Sequence, residues 1–252
     1  MRTLLEADSS WSPKRVCLFR RDFAFLPNRA YYKWIADRSE RRQCFQKKAN
    51  IVNLTIFNTP VLKAVLYRTS RLILGLAGWR IEGRLPPIPK FVLVGAPHTS
   101  NWDLPYTLLM AFALRANIRW MGKETIFRRP FRGFFQWLGG IPVQRSQSRN
   151  LVEESVQQFH RHDQLILTIA PAGTRQRVLR WKTGFYHIAC GAEVPIVLGY
   201  LDYRRKAGGI GPMIHPSGNI TADMRTILAF YEGVAGKHPA RSLTAGENGN
   251  SN

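Results

Sequence analysis

The sequence predicts an α/β domain built on one central sheet, mostly parallel or mixed, with helices on its flanks. Three observations carry this expectation. The apolar runs Phe91–Val94, Leu165–Ala170 and Val194–Leu201 hold almost no polar residues, as expected of strands buried on both faces. Segments with helical spacing alternate with these runs. A chain of 252 residues, 45% hydrophobic, suits one good-sized domain with an appendage.

Residues 1–50 differ from the rest and are expected to form a poorly ordered basic arm. They carry Lys14, Arg15, Arg20, Arg21, Arg29, Lys33, Arg38, Arg41, Arg42, Lys47 and Lys48, with little apolar periodicity beyond one short helix near Ala30–Phe45. Such an arm is either an electrostatic tether to anionic lipid or a dispensable extension. Residues 51–82 read as an amphipathic helical element in two pieces. Pro60 suits a first helical turn. Beyond it Val61, Leu62, Val65, Leu66, Leu72, Ile73, Leu76 and Trp79 recur at helical spacing, with Lys63, Arg68 and Arg71 between them. Core packing and a helix lying in the interface of an anionic bilayer both explain that stripe.

Residues 83–236 form the expected α/β domain. After a turn-rich link, Gly83–Pro89, comes the strand Phe91–Val94, and Pro105 opens a helix through Leu108, Leu109, Phe112 and Ala113. Ile118–Met121 is a second strand. An aromatic and basic stretch, Phe127–Leu138, runs to Gly139-Gly140. Asn150–His162 is amphipathic, with Leu151, Val152, Val156 and Phe159 on one face. Leu165–Ala170 is a strand, Phe185–Cys190 a short helix and Val194–Leu201 another strand. Gly208–Pro216 reads as a turn-rich hairpin region. A last helix, Thr221–Gly236, takes Thr221 as its cap and Asp223 in its first turn. Residues 237–252 are polar and read as a disordered tail.

Charge is the outlying property: 37 Lys and Arg face 16 Asp and Glu, a net +21, with an isoelectric point near 10.8. An anionic partner follows: a membrane surface, a phosphate-bearing substrate or nucleic acid, against the plain alternative of a solvated basic surface. No RNA-recognition, zinc-finger or helix-turn-helix signature supports nucleic acid. Cys17, Cys44 and Cys190 are an odd set without CxxC spacing, which suggests reduced thiols in a cytosolic setting. Only His160 and His162 lie close together, so no metal is expected. Uncharged runs such as Ala49–Leu62 fall short of the roughly 20 residues a span needs. Glu6 and Asp8, with no apolar run, argue against a secretory leader. Any membrane encounter should be peripheral, on the cytoplasmic side.

Three loops follow or flank apolar strands, Pro97–Asp103, Gly140–Arg145 and Pro171–Arg175, and each carries charged or titratable groups. Loops of this kind converge on sites in α/β folds. His98 lies just past a buried strand, with Asp103 five residues on. An unbroken helix would place their side chains about 140° apart. A hydrogen bond between them therefore requires a turn at Thr99–Trp102. Asp103 would then orient the imidazole, and His98 could take a proton from a hydroxyl. As a bare pair, His-x4-Asp fits a structural histidine as well as a catalytic one.

The longer string Pro97-His98-Thr99-Ser100-Asn101-Trp102-Asp103 resembles the first sequence block of the glycerolipid and lysophospholipid acyltransferases, relatives of 1-acylglycerol-3-phosphate acyltransferase. Gly140–Arg145, Ala170–Arg175 and Val194–Val197 resemble the second, third and fourth blocks, in order. Lys123-Glu124 and Trp181–Phe185 are also similar to this family. The resemblance covers about Pro60 to Tyr231. It implies acyl transfer from an acyl thioester, acyl-CoA or acyl carrier protein, to a hydroxyl of a lysophospholipid or related acceptor. By that pattern His98 is the general base and Asp103 its orienting acid, with no acyl-enzyme; no GxSxG elbow is present. Arg145 and Arg175 would bind acceptor phosphate. Gly173 and Thr174 belong to the same loop, and Lys123 and Lys182 are further phosphate candidates. Pro195 and Ile196 would shape the acyl channel. The donor is a co-substrate, so no cofactor is implied. Membrane association in the family raises the bilayer reading of the Val61–Trp79 stripe.

One position departs from the pattern. The third block of the family carries Glu between Pro and Gly, where this chain has Ala172. The departure implies a different acceptor head group, slower turnover, or a catalytically impaired member that retains anionic-lipid binding.

Overall fold

A computed structural model describes residues 55–143 and 148–242. The basic arm 1–50, Arg145 and the tail beyond Ser242 lie outside the described residues. Helices and strands here are numbered in chain order. A 3-10 turn, Ile56–Asn58, leads into α1 (Pro60–Leu76), followed by β1 (Arg80–Glu82), β2 (Lys90–Ala96), α2 (Asp103–Ala113) and β3 (Ile118–Lys123). Then come α3 (Arg132–Trp137), β4 (Gly140–Val143), α4 (Ser148–Arg161) and β5 (Leu165–Ile169). The chain continues through α5 (Gly184–Gly191), β6 (Ile196–Asp202), β7 (Ala207–Ile214) and α6 (Ile220–Tyr231).

The strands form one seven-stranded mixed sheet in the order β1-β7-β6-β2-β5-β3-β4. Strands β2 to β6 are mutually parallel, whereas β7 pairs antiparallel with β6 and parallel with β1, so β1 and β7 run opposite to the other five. The two faces explain why the central strands read as unbroken apolar runs. Val92, Val94 and Ala96 pack with Ile196, Leu198, Phe159, Phe185, Ile188 and Ile227 beneath α4, α5 and α6. Phe91 and Leu93, alternating with them, pack with Val197, Ile118, Phe57 and Ala111 beneath α1, α2 and α3. A strand covered on both sides gains nothing from polar alternation.

The α1 stripe divides between two faces. Leu62, Leu66 and Leu74, at four-residue spacing with Ser70, turn toward the protein, whereas Val65, Leu72, Ile73 and Leu76 are exposed. Pro60 opens the helix as expected. Several expectations are corrected. Gly208–Pro216 is not a turn region: most of it is β7, paired with β6 and β1. Its glycines permit close strand approach, since a Cβ on Gly209 would stand 1.8 Å from the Glu82 carbonyl oxygen. The cap of α6 is Asn219, whose side chain accepts from Ala222 N at 3.1 Å. Thr221 thus falls inside the first turn, and the helix ends at Tyr231 rather than Gly236. Within the expected tail, residues 237–242 are ordered against the domain, His238 N donating to Thr99 Oγ1 at 3.2 Å.

Two glycines test the sheet edge and the α1 helix in opposite directions. Gly83 has φ +75°, and a Cβ there would lie 1.9 Å from the Ile210 carbonyl oxygen. Gly83→Ala should cost more than about 1 kcal/mol, read as a fall of at least about 2–4 °C in the unfolding midpoint. Gly75 is helical with nothing within 4 Å of an added Cβ. Gly75→Ala should therefore raise the midpoint, by about 0.5–1 kcal/mol of stability. Equal shifts in both variants would show that β1 pairing does not constrain Gly83.

Candidate active site

Parallel pairing sets where the site can be. Because β2 to β6 run the same way, the loops after all five leave one edge of the sheet, which is where α/β folds assemble sites from separate loops. The loop 97–102 follows β2, the loop 170–183 follows its neighbour β5, and the turn 203–206 follows its other neighbour, β6.

The expected turn is present. Asp103 N donates to the Ser100 carbonyl at 3.4 Å, and Trp102 N donates to Ser100 Oγ at 3.2 Å. The chain reverses in four residues and enters α2 at Asp103, an acid at a helix N-terminus where the dipole favours it. This brings His98 Nδ1 to 3.0 Å from Asp103 Oδ2. A carboxylate only accepts, so the Nδ1 proton is fixed and Nε2 is left as the acceptor nitrogen. The His98 side chain is 29% exposed, while Asp103 is only 4% exposed.

A buried carboxylate needs donors. Oδ2 accepts from Thr99 N at 2.8 Å and Ser100 N at 2.9 Å as well as from His98. Oδ1 accepts from the Tyr203 hydroxyl at 2.8 Å. Burial, the largest single influence, pushes the Asp103 carboxyl up, but the bonds from His98, Ser100 and Tyr203 and the nearby imidazole together outweigh it and hold the group below its ordinary range. Tyr203 moves the other way: burial and the Asp103 carboxylate push its phenol well up, so it stays a neutral donor.

Tyr203 has no counterpart among the residues expected from sequence. It is placed by the turn after β6. Buried Asp202 accepts from Arg204 N at 3.0 Å, Arg205 N at 3.1 Å and Arg205 Nε at 2.8 Å. Tyr203 N donates to the Ala235 carbonyl at 2.9 Å, and its ring stands edge-on to Trp79 and Tyr106, 5.1 and 5.8 Å away. The available signal was its position, one residue past the carboxyl end of a buried strand. A recess of about 240 Å³ opens beside this cluster, lined by Trp79, Trp102, Tyr106, Tyr203, Lys206 and Lys237.

The third block is also at this edge. Gly173 takes φ +64°, its N donates to the Ala170 carbonyl at 3.0 Å, and Lys182 N donates to the Pro171 carbonyl at 3.0 Å. The Lys182 side chain lies over Gly173, 3.6–3.8 Å from where a Cβ would sit. Thr174 Oγ1 accepts from Gln176 N at 3.3 Å, and Arg175 is exposed. Lys123 is exposed at the end of β3, which lies beyond β5 from β2. Pro195 and Ile196 are elsewhere. They stand where β6 begins, and Ile196 pairs with Val92, four residues before Ala96. That offset is about 13 Å from the edge carrying His98. The Pro195 carbonyl accepts from Val92 N at 3.0 Å, and Ile196 is 0% exposed in the core, so it lines no open channel in this conformation.

Tyr203→Phe tests the Asp103 environment. It strips one donor from a buried ionised oxygen, a loss of about 1.5–3 kcal/mol. The Asp103 carboxyl is depressed in the folded state, so its stabilisation is present above the unfolded value, near 3.8, and is lost as pH falls through the folded value. The Tyr203→Phe deficit in urea unfolding should accordingly be full at neutral pH and shrink in acid. A deficit independent of pH would mean that the Tyr203 hydroxyl does not stabilise the ionised form of Asp103.

Residues 80–198 match the family model described as Acyltransferase. Among curated proteins, the chain is 26% identical to the 1-acyl-sn-glycerol-3-phosphate acyltransferase of Haemophilus influenzae over 56% of this chain and 61% of that protein. It is 27% identical to the Escherichia coli protein of the same description over 48% of this chain and 52% of that protein. The chain thus spans between half and two thirds of the length of these relatives. The crystal structure of the 1-acyl-sn-glycerophosphate acyltransferase PlsC from Thermotoga maritima aligns with a TM-score of 0.45 at 18% identity, covering 62% of this chain and 70% of that one. All four sequence blocks, from His98 to Val197, fall inside the span that matches the Acyltransferase family model, and in that span the chain is similar to 1-acyl-sn-glycerol-3-phosphate acyltransferases.

Proposed function

We propose that this protein transfers a fatty acyl group from an acyl thioester, acyl-CoA or acyl carrier protein, to a hydroxyl of a lysophospholipid acceptor such as 1-acylglycerol 3-phosphate. The observation that carries the reading is the 3.0 Å contact between His98 Nδ1 and buried Asp103 at the end of β2. With Nδ1 held by the carboxylate, His98 Nε2 takes the proton of the acceptor hydroxyl as its oxygen attacks the thioester carbonyl. The C–O bond forms, the C–S bond breaks, and the imidazolium returns its proton to the departing thiolate. Asp103 stabilises the imidazolium without being protonated. Arg175 and Lys182, with Gly173 and Thr174 shaping the turn, face solvent on the neighbouring loop and suit the acceptor phosphate; Lys123 is one strand farther. Arg145 takes the same role by its sequence block.

The reaction belongs at a bilayer surface. The outer face of α1 carries Val65, Leu72, Ile73 and Leu76 beside Lys63, Arg68 and Arg71, which suits a helix lying in the interface of an anionic leaflet. No described helix is long and apolar enough to cross a membrane. Peripheral attachment at the cytoplasmic leaflet, aided by the basic arm 1–50, follows from this reading.

A second reading rests on Ala172. Without the carboxylate of the family pattern, the third loop holds Arg175 differently, and the chain is then an anionic-lipid binder with impaired turnover. Purified protein given acyl-CoA or acyl carrier protein thioesters and a panel of lysolipids separates the two by thiol release. His98→Ala and Asp103→Asn should each lower turnover by about 10²–10⁴-fold with the fold intact. Wild type as inactive as His98→Ala across the panel would sink the enzymatic reading.

Ala172→Glu tests the departure itself. Turnover of a phosphate-bearing lysolipid should rise if the missing carboxylate limits this site. A fall in turnover, with an unchanged unfolding midpoint, would mark a site adapted to Ala172.

A further inference from the structure

The stretch between β3 and β4 has no part in the chemistry above, yet it presents large apolar side chains to solvent. Ile126, Phe131 and Phe134 are exposed, Phe131 at 61% and Phe134 at 52%. Arg128, Arg129 and Arg132 stand among them, all exposed and in no ion pair among the described residues, and no Asp or Glu occurs between Ile126 and Phe134.

These aromatics stand on a rigid base. Phe134 packs edge-on against Phe135 at 5.6 Å and lies tilted against Trp137 at 6.4 Å. Phe135 and Phe127 hold Trp120, whose indole donates to the Leu138 carbonyl at 2.9 Å. Such a platform supports the exposed rings without burying them. Trp137 and Leu138 join the core cluster that also takes Leu62 and Leu66 of α1. The aromatic corner and α1 therefore belong to the same layer over one sheet face. The corner also begins just past Lys123, at the sheet edge that carries His98.

We infer that Ile126, Phe131 and Phe134, with Arg128, Arg129 and Arg132, form a second bilayer contact, separate from α1, that inserts aromatic tips between anionic headgroups. This rests on the reading that the protein works on lipids at a bilayer. A bilayer is the occupant the observations favour. Aromatic side chains flanked by arginines suit the headgroup level, where the ring is buried and the guanidinium pairs with phosphate. One planar surface can also engage two separate apolar and basic patches of the same layer. Two contacts hold the sheet edge toward the lipid, whereas one helix leaves the protein free to roll about its axis.

The experiment is co-sedimentation of the full chain with phosphatidylcholine vesicles with and without phosphatidylglycerol. Turnover of a lysolipid in detergent micelles is measured alongside. Wild type should bind the anionic vesicles. Phe131→Ser with Phe134→Ser should weaken binding at least about tenfold, and each arginine of the set changed to Gln should weaken it about fivefold, on anionic vesicles only. Micellar turnover should be unchanged in every variant. Wild-type partitioning by both the phenylalanine pair variant and the triple arginine variant would overturn the second contact while leaving the acyltransferase reading standing. Loss of binding to an acidic carrier protein, with vesicle binding intact, would also overturn it and make the corner a donor-docking surface. Phenylalanine-dependent vesicle binding by a wild type that turns over no lysolipid would support the contact and remove the enzymatic reading.

Discussion

The carboxylate of Asp103 is the constraint on which the site depends. A charge that is nearly inaccessible to water costs several kcal/mol unless its lone pairs are filled. Here they are filled from three directions: the backbone of the loop after β2, the imidazole of His98 and the phenol of Tyr203 from the far side of β6. Each donor is also a geometric tie. Thr99 and Ser100 must turn tightly for their N–H groups to converge, and that turn is what carries His98 back over the helix start. The acid thus shapes the loop that presents the imidazole bound to it.

The sheet supplies the frame for this arrangement. Because β2 lies between β5 and β6, with all three parallel, the His98 loop, the Gly173 turn and Tyr203 emerge side by side without long excursions. The layers differ in character. One face is closed by α4, α5 and α6 over a core of fully buried side chains. The other is closed by α1, α2 and α3, whose outer surfaces retain Leu76, Ile73, Phe131 and Phe134 in solvent. An asymmetry of this kind is costly for a surface left in water, and the bilayer contacts proposed above rest on it.

Much of this was legible in the sequence. The central strands announced themselves because double burial leaves no room for polar residues. The turn at Thr99–Trp102 followed from the helical period, since His98 and Asp103 could not otherwise meet. Tyr203 was missed because its partner lies 100 residues earlier and no local pattern marks a tyrosine as a carboxylate donor. Strand β7 was missed for a different reason. Glycine usually signals a turn, but Gly208 and Gly209 are there to let three strands close on one another, a need visible only in pairing. The stripe on α1 was read as one face when it is two, because adjacent apolar faces merge in a periodicity. Pro195 and Ile196 fell into a recognisable block whose place in the strand, at its beginning rather than its end, only the register reveals.

The phenol of Tyr231, in the last turn of α6, is buried and reaches the Val94 carbonyl of β2 at 2.9 Å and the Gly199 carbonyl of β6 at 3.0 Å. Gly199 sits at the irregularity in the β6–β7 ladder, where the regular register breaks. The same ring meets Trp181 edge-on at 5.2 Å, just before Lys182 folds back over Gly173. One side chain near the end of the chain therefore behaves as a keystone: it joins the strand that leads to His98, the strand that leads to Tyr203 and the loop that carries Arg175. The spacing of these three supports is set by a residue that belongs to none of the four sequence blocks, so transplanting the blocks without α6 would carry His98, Asp103 and Arg175 but not the distances between their loops.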